Sequence, residues 1–185
     1  MSRIFILAVC LFLILSFASC REQTKKSSEQ KETISGEQTT TEGKTLAPDF
    51  TLKDLSGNEV GPASFRGKVL IIDFWATWCP PCRKAIPHLV SMKQKYGDQG
   101  FEVLGVSLDE GPDALSTVKA FAQEQGVNYP IVIGDQNIAN SYGGINGIPT
   151  FFIVDKNGYI IKSQTGYDEE VGQMMADEVE KLLTQ

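Results

Sequence analysis

Residues 73–82 read DFWATWCPPC and join a strand to a pair of cysteines. The run from Val69 to Trp75 is apolar except for Asp73, which is typical of a buried strand. Cys79 and Cys82 follow, two residues apart, where the sequence predicts a helix from about Pro81 to Tyr96 that ends at Gly97. Two thiols at this spacing can close into a disulfide and open again. The same spacing also occurs in zinc sites and at haem attachment points.

The residues around the cysteine pair argue against those other uses. Haem attachment needs a histidine directly after the second cysteine, and this chain has Arg83 there. A structural zinc site needs four ligands, and His88 is the single histidine of the chain. A peroxiredoxin would have Pro and Thr seven and three residues before its cysteine, where Ile72 and Ala76 stand. We therefore expect no metal and no cofactor apart from a redox-active Cys79–Cys82 disulfide.

Composition limits the class of protein. The chain has 185 residues, of which 42% are apolar and 22% are charged, as in a globular domain with appendages. Its net charge is −6 and it has no basic patch, so we expect no binding to nucleic acid. We also expect a monomer.

The first 19 residues have the pattern of a signal peptide. Arg3 precedes an apolar run from Ile4 to Phe17, which is short for a membrane span of about 20 residues. The run ends Phe17-Ala18-Ser19-Cys20, which resembles a bacterial lipobox with cleavage before Cys20 and a lipid on that cysteine. Phe17 departs from the pattern, which usually has an aliphatic residue there. Ordinary cleavage after Cys20 and an uncleaved anchor remain alternatives.

Residues 20–46 are almost entirely polar and cannot bury a core, so we expect a disordered tether. The folded domain is then expected at residues 47–185. Export would place it in a compartment where disulfides persist.

Strand and helix patterns alternate along this domain. The sequence predicts a small hairpin near 50–60, a strand at 101–108, a helix at 112–125, a strand at 131–133, a helix at 136–142, a hairpin at 150–162 and a helix at 168–183. This order predicts an α/β fold in which helices cover both faces of a mixed central sheet.

Several motifs resemble those of one family. The run WATWCPPCR at 75–83, Pro87, and Gly147-Ile148-Pro149-Thr150 before a strand look like a thioredoxin-fold protein. The leading hairpin from Ala47 and an additional strand and helix around 101–125 make the chain similar to exported TlpA/ResA-type thiol–disulfide oxidoreductases. The resemblance covers residues 47 to about 183.

That resemblance implies a function, a location and partners. Together with the signal-like N-terminus and Cys20, it implies an extracytoplasmic, membrane-anchored lipoprotein that reduces disulfides of exported proteins, for example during cytochrome c maturation. A membrane thiol-transfer protein would supply the electrons. The alternatives are a net thiol oxidant or isomerase, and a non-enzymatic metal-carrying or thiol-sensing module. No histidine lies between the cysteines, which favours the reducing direction.

The resemblance also assigns roles to residues. Cys79 would be the nucleophile, because a helix N-terminus favours a thiolate, and Cys82 would resolve the mixed disulfide. Asp73 would be a buried proton relay for Cys82, or else a carboxylate satisfied by a neighbouring lysine. The family often has a glutamate three residues after the second cysteine, where this chain has Ala85.

Five further residues are expected to face the substrate. Pro149 would follow a cis peptide bond that leaves the backbone of Ile148 available to a bound polypeptide. Trp78 would lie at the rim of the site. Pro80 and Pro81 would stiffen the loop between the cysteines, since proline suits the first turn of a helix.

Overall fold

The computed structural model describes residues 43–185, in which strands and helices alternate as the sequence predicts. The strands are β1 Thr45–Leu46, β2 Leu52–Lys53, β3 Glu59–Val60, β4 Val69–Trp75, β5 Phe101–Ser107, β6 Ile131–Ile133, β7 Thr150–Val154 and β8 Tyr159–Thr165. The α-helices are α1 Pro80–Tyr96, α2 Ala114–Glu124, α3 Gln136–Ser141 and α4 Glu169–Leu183, and 3₁₀ turns occupy Pro62–Phe65 and Gly97–Gln99.

Six strands form one mixed sheet, in the order β1-β8-β7-β4-β5-β6. The strands β4, β5 and β6 run parallel, whereas β7 and β8 pair antiparallel to their neighbours. The prediction of a mixed sheet is therefore confirmed. The strand β4 lies inside the sheet, which explains why its seven residues are all buried.

Side chains of β4 alternate between two cores, as the pleat of a strand requires. Ile71 and Trp75 face the first core, which α1, α2 and α4 cover. Ile72 and Phe74 face the second core, which the β2–β3 hairpin, the first 3₁₀ turn and α3 cover. Helices thus cover both faces, with the three longer ones on the face that carries the cysteine pair.

The predicted hairpin near 50–60 is present, with Leu52 opposite Val60. The Asp54 carboxylate accepts hydrogen bonds from the backbone N–H groups of Ser56 and Asn58, and Gly57 has φ 91°. A side chain that satisfies the backbone of its own turn is what an aspartate at this position supplies.

The N-terminal boundary differs from the expectation of a domain beginning at Ala47. Thr45–Leu46 pair with β8, Thr45 opposite Ile160 and Leu46 opposite Tyr159. Residues 45–46 therefore belong to the sheet, because an edge strand can be held by backbone hydrogen bonds without an apolar sequence. The expected signal peptide, Cys20 and most of the expected tether lie outside the described residues.

The last hairpin is longer than the sequence predicts. We expected its second strand to end near Lys162, but β8 continues to Thr165. Ser163 and Gln164 are polar, yet they pair with Phe152 and Phe151 of β7. Within residues 43–185, no helix combines the length and the apolar character that crossing a bilayer requires.

Candidate active site

The cysteine pair occupies the junction between β4 and α1. Cys79 is the N-cap of α1, and its Sγ accepts a hydrogen bond from the backbone N–H of Cys82 at 3.2 Å. Pro80 and Pro81 fill the first two helical positions, where a missing N–H leaves no helical bond unmade. The amide of Cys82 is therefore the first one in the helix that can reach the sulfur.

Cys79 and Cys82 are joined by a disulfide, with an S–S distance of 2.03 Å and a Cα–Cα distance of 5.3 Å. Both residues are buried and belong to the core beneath α1. Trp78, directly before Cys79, is 65% exposed, which places it at the rim as expected.

A second loop meets the pair from the side of β7. The Ile148–Pro149 peptide bond is cis, as the resemblance implied. The carbonyl oxygen of Ile148 lies 3.6 Å from Cys79 Sγ. Thr150 Oγ1 donates to the carbonyl of Gly147 at 2.7 Å, and this bond ties the loop to the start of β7. Cys79, Trp78 and Ile148 are thus brought together, although about 70 residues separate the two loops.

Sequence reasoning missed Asp109, which holds the loop before Cys79. Its carboxylate accepts hydrogen bonds from the backbone N–H and the hydroxyl of Thr77, at 2.9 and 2.5 Å, and from the hydroxyl of Ser107 at 2.8 Å. Leu108 N–H also donates to the carbonyl of Trp75 at 2.8 Å. The sequence did contain a signal for Asp109, an acid two residues after Ser107, the last residue of β5. Because β4 and β5 are parallel neighbours, their carboxyl ends lie at the same edge of the sheet, so an acid after β5 can reach the loop after β4.

Asp73 is buried on the α1 face of β4, opposite Gly105 of β5 and Phe151 of β7. Burial raises its pKa to about 8. Its Oδ1 has no hydrogen-bond partner, and no ion pair within residues 43–185 involves it. The alternative of a carboxylate satisfied by a lysine is therefore not what the structure contains.

Two aromatic residues surround the same region. A Cβ atom added to Gly105 would lie 3.2 Å from Trp75 Nε1 and 3.5 Å from Tyr129 Cε2. Trp75 Nε1 is buried without a partner, like Asp73 Oδ1. Burial, together with the charge of Asp73, raises the pKa of Tyr129 well above its usual value. The glycine thus leaves the space that these larger side chains occupy.

His88 lies away from this chemistry, in the contact between α1 and α4. Its ring centroid is 6.2 Å from that of Tyr167, and burial lowers its pKa. A Cβ added to Gly172 would lie 3.4 Å from His88 Cε1, so the glycine admits the imidazole. Among the described residues, no group of three or more His, Cys, Asp or Glu could hold a metal ion.

Comparisons with known proteins agree with this geometry. Residues 44–163 match the AhpC/TSA family. The ResA thiol-disulfide oxidoreductase of Geobacillus thermodenitrificans is 40% identical over 121 residues, which are 65% of this chain and 67% of that protein. The ResA protein of Bacillus subtilis is 32% identical over 134 residues, 72% of each chain. A thiol:disulfide interchange protein of the thioredoxin family from Chlorobium tepidum superposes with a TM-score of 0.68 at 31% identity, covering 78% of this chain and 99% of that one.

A thioredoxin-like fold with a cysteine pair at the first turn of α1 defines a thiol–disulfide oxidoreductase. The chain belongs to the AhpC/TSA family and, within it, groups with the ResA-type thiol–disulfide oxidoreductases. It is accordingly an enzyme of thiol–disulfide exchange that acts on protein thiols.

Proposed function

We propose that this oxidoreductase works outside the cytoplasm, anchored through a lipid on Cys20, and reduces disulfides in exported proteins such as apocytochrome c. The observation that carries the proposal is the Cys79–Cys82 pair at the N-terminus of α1, beside the carbonyl of Ile148. The signal-like N-terminus supports the location, and the absence of a histidine between the cysteines favours the reducing direction.

The reaction begins with the pair reduced. The Cys79 thiolate attacks one sulfur of the substrate disulfide; a Cys79–substrate bond forms, the substrate S–S bond breaks, and one substrate sulfur leaves as a thiolate. Cys82 then loses its proton and attacks Cys79 Sγ, which forms the Cys79–Cys82 disulfide and releases the second substrate thiolate. Two electrons pass from the pair to the substrate. A membrane protein that carries a dithiol would restore the reduced pair.

Asp73 is the proposed acceptor of the Cys82 proton. A carboxyl group with a pKa of about 8 exchanges protons near neutral pH, where a general base is most effective. Asp73 lies on the face of β4 that packs against α1, the helix that carries Cys82. The residues proposed to contact substrate are Trp78, Pro80, Pro81, Ile148 and Pro149.

Trapping tests the function directly. The full-length chain with Cys82→Ser is expressed in cells and cannot resolve its mixed disulfides, so exported proteins should accumulate on Cys79 and be released by a reductant. The matched control carries both Cys79→Ser and Cys82→Ser and should retain nothing. If the single variant captures no more protein than the double variant, the exchange function is wrong.

The redox potential of the pair tests the direction. Related dithiols span about −270 to −120 mV, and we expect this pair toward the reducing end. A value near −120 mV would instead identify a net oxidant.

A further inference from the structure

A cavity of about 520 Å³ opens next to Trp78, between the segments that follow β5 and β6. Trp78, the neighbour of Cys79, lines one side, and Ile145, three residues before Ile148, lines another. Cavities of about 300–1,000 Å³ are typical of binding sites. Because Trp78 directly precedes Cys79, a polypeptide whose sulfur is bonded to Cys79 lies close to this cavity.

The cavity offers apolar surface. Leu108, Ile133 and Ala139 lie in its lining together with Trp78 and Ile145. In residues 43–185 the large apolar side chains that are exposed are Trp78, at 65%, and Leu115, at 54%, which directly follows the lining residue Ala114. Leu115 does not line the cavity, whereas Trp78 does, so the opening combines one exposed aromatic side chain with an apolar lining, as binding sites commonly do.

The charges at the cavity have one sign. Its ionisable lining residues are Asp109, Glu110 and Asp135, and no basic side chain of the described chain lines it. The Asp109 carboxylate already accepts a hydrogen bond from Thr77, and the Asp135 carboxylate caps α3 by accepting one from the N–H of Ile138. Glu110 is exposed, and among the described residues its side chain makes neither a hydrogen bond nor an ion pair. Its charge is therefore available to a bound cation.

On the basis of the proposed function, we propose that this cavity binds the segment beside the reactive cysteine of a substrate polypeptide. We propose that it selects a segment in which an apolar residue stands next to a lysine or arginine. The apolar side chain packs against Leu108 and Ile133, and the cationic group pairs with Glu110. The cavity would thereby distinguish among the disulfides that Cys79 can attack.

The test measures selectivity with the full-length, reduced chain. Three disulfide peptides differ only beside the cysteine, where they carry Leu with Lys, Leu with Glu, or Ser with Lys. Each rate constant is divided by that for uncharged 2-hydroxyethyl disulfide, measured on the same sample. The Leu–Lys peptide should react about two- to fivefold faster than the Leu–Glu peptide, as expected for one exposed ion pair, and faster than the Ser–Lys peptide.

Glu110→Lys should reverse the order of the Leu–Lys and Leu–Glu peptides. Glu124→Lys makes the same change of charge at the far end of α2, about 15 Å from Ala114 along the helix. That distance exceeds the screening length of about 8 Å at physiological salt, so the control should keep the order of the parent chain.

The outcomes separate this proposal from the function on which it rests. Equal rates for the three peptides, with 2-hydroxyethyl disulfide still reduced, overturn the cavity proposal and leave the reductase function standing. A preference for lysine that persists in Glu110→Lys also overturns it, because the charge would then act elsewhere. Failure to reduce any of the four disulfides overturns the reductase function and the cavity proposal together.

Discussion

Asp73 places a carboxyl group inside the core beneath α1, with Oδ1 unpartnered and a pKa raised by burial to about 8. If it takes the proton of Cys82, Asp73→Asn should slow resolution of the mixed disulfide at neutral pH more than it slows the first attack by Cys79. Rapid-quench measurement of both steps with one peptide substrate checks this. Equal slowing of the two steps would contradict the proton-relay role.

The same residue predicts a dependence of stability on pH. A carboxyl whose folded pKa lies above its unfolded value holds its proton more tightly in the folded state, so stability falls as pH rises from about 4 to about 8. Asp73→Asn removes this pH-dependent loss, so between pH 5 and pH 9 the parent chain should lose at least about 1–3 kcal/mol more stability than the variant. Urea unfolding of the oxidised proteins at pH 5 and pH 9 measures the difference. A pH-independent gap between the two would argue against the raised pKa.

At this scale the sequence predicts some site residues better than others. Cys79 and Cys82 were found from their spacing, and Asp73 from being the one acid in an apolar strand. Asp109 was missed, because its importance arises only when β5 lies beside β4 and brings the carboxylate to Thr77. The cavity was missed for a similar reason, since Trp78 and Ile145 line it from separate loops.

Among the elements, the β2–β3 hairpin depends on a glycine at its exit. A Cβ on Gly61 would lie 1.7 Å from the carbonyl oxygen of Phe50, so any side chain there must displace backbone. We expect Gly61→Ala to lower the free energy of unfolding by about 1–3 kcal/mol, as overpacking does.

A second glycine provides the matched control. Gly97 has helical φ and ψ, and its added Cβ would meet only the flexible end of Lys93, at 3.4 Å. Gly97→Ala should therefore be neutral or stabilising by up to about 1 kcal/mol. Denaturant unfolding of both variants decides the matter, and equal effects would contradict the steric explanation.

Periodicity and turn residues predicted the positions of the helices and strands closely. They predicted the residues at which these elements end less accurately. β4 and β6 begin and end where predicted, because apolar runs bounded by turns are clear signals. β8 was predicted too short, because its last residues are polar and only their pairing with β7 identifies them as strand. β1 was missed for the same reason, because only its pairing with β8, more than a hundred residues away, identifies it as a strand.

On the scale of the whole molecule, the segment before β2 is fastened to the domain at several points. Ala47 N–H donates to the carbonyl of Gly158 at 2.9 Å, and the Tyr142 hydroxyl donates to the carbonyl of Pro48 at 2.7 Å. Burial raises the pKa of Tyr142 far above its usual value, so this hydroxyl stays a donor at any pH at which the protein would be studied.

Tyr142→Phe keeps the ring, which packs against Phe74 and Phe152 at centroid distances of 5.1 and 4.9 Å, and removes only the hydroxyl. Because the substitution leaves the carbonyl of Pro48 without its donor, it should lower the free energy of unfolding by about 1 kcal/mol. Tyr167→Phe, which removes a hydroxyl that donates no hydrogen bond within residues 43–185, should stay within about 0.5 kcal/mol of the parent chain. Denaturant unfolding measures the free energy of unfolding of both variants. If Tyr142→Phe is as stable as the parent chain, water satisfies the Pro48 carbonyl equally well and the prediction is wrong.

The two-residue strand β1 has a mechanical consequence. Any force applied through the chain before Gly43 enters the domain at Thr45, on the outermost strand of the sheet. The hydrogen bonds that resist this force lie in series along the chain, first the β1–β8 pairing, then the bond of Ala47 and then that of Pro48. They therefore break one after another rather than together. Because β7 and β8 lie between β1 and β4, a pull on the N-terminus would detach the edge strand long before it loads β4, the strand that precedes the cysteines.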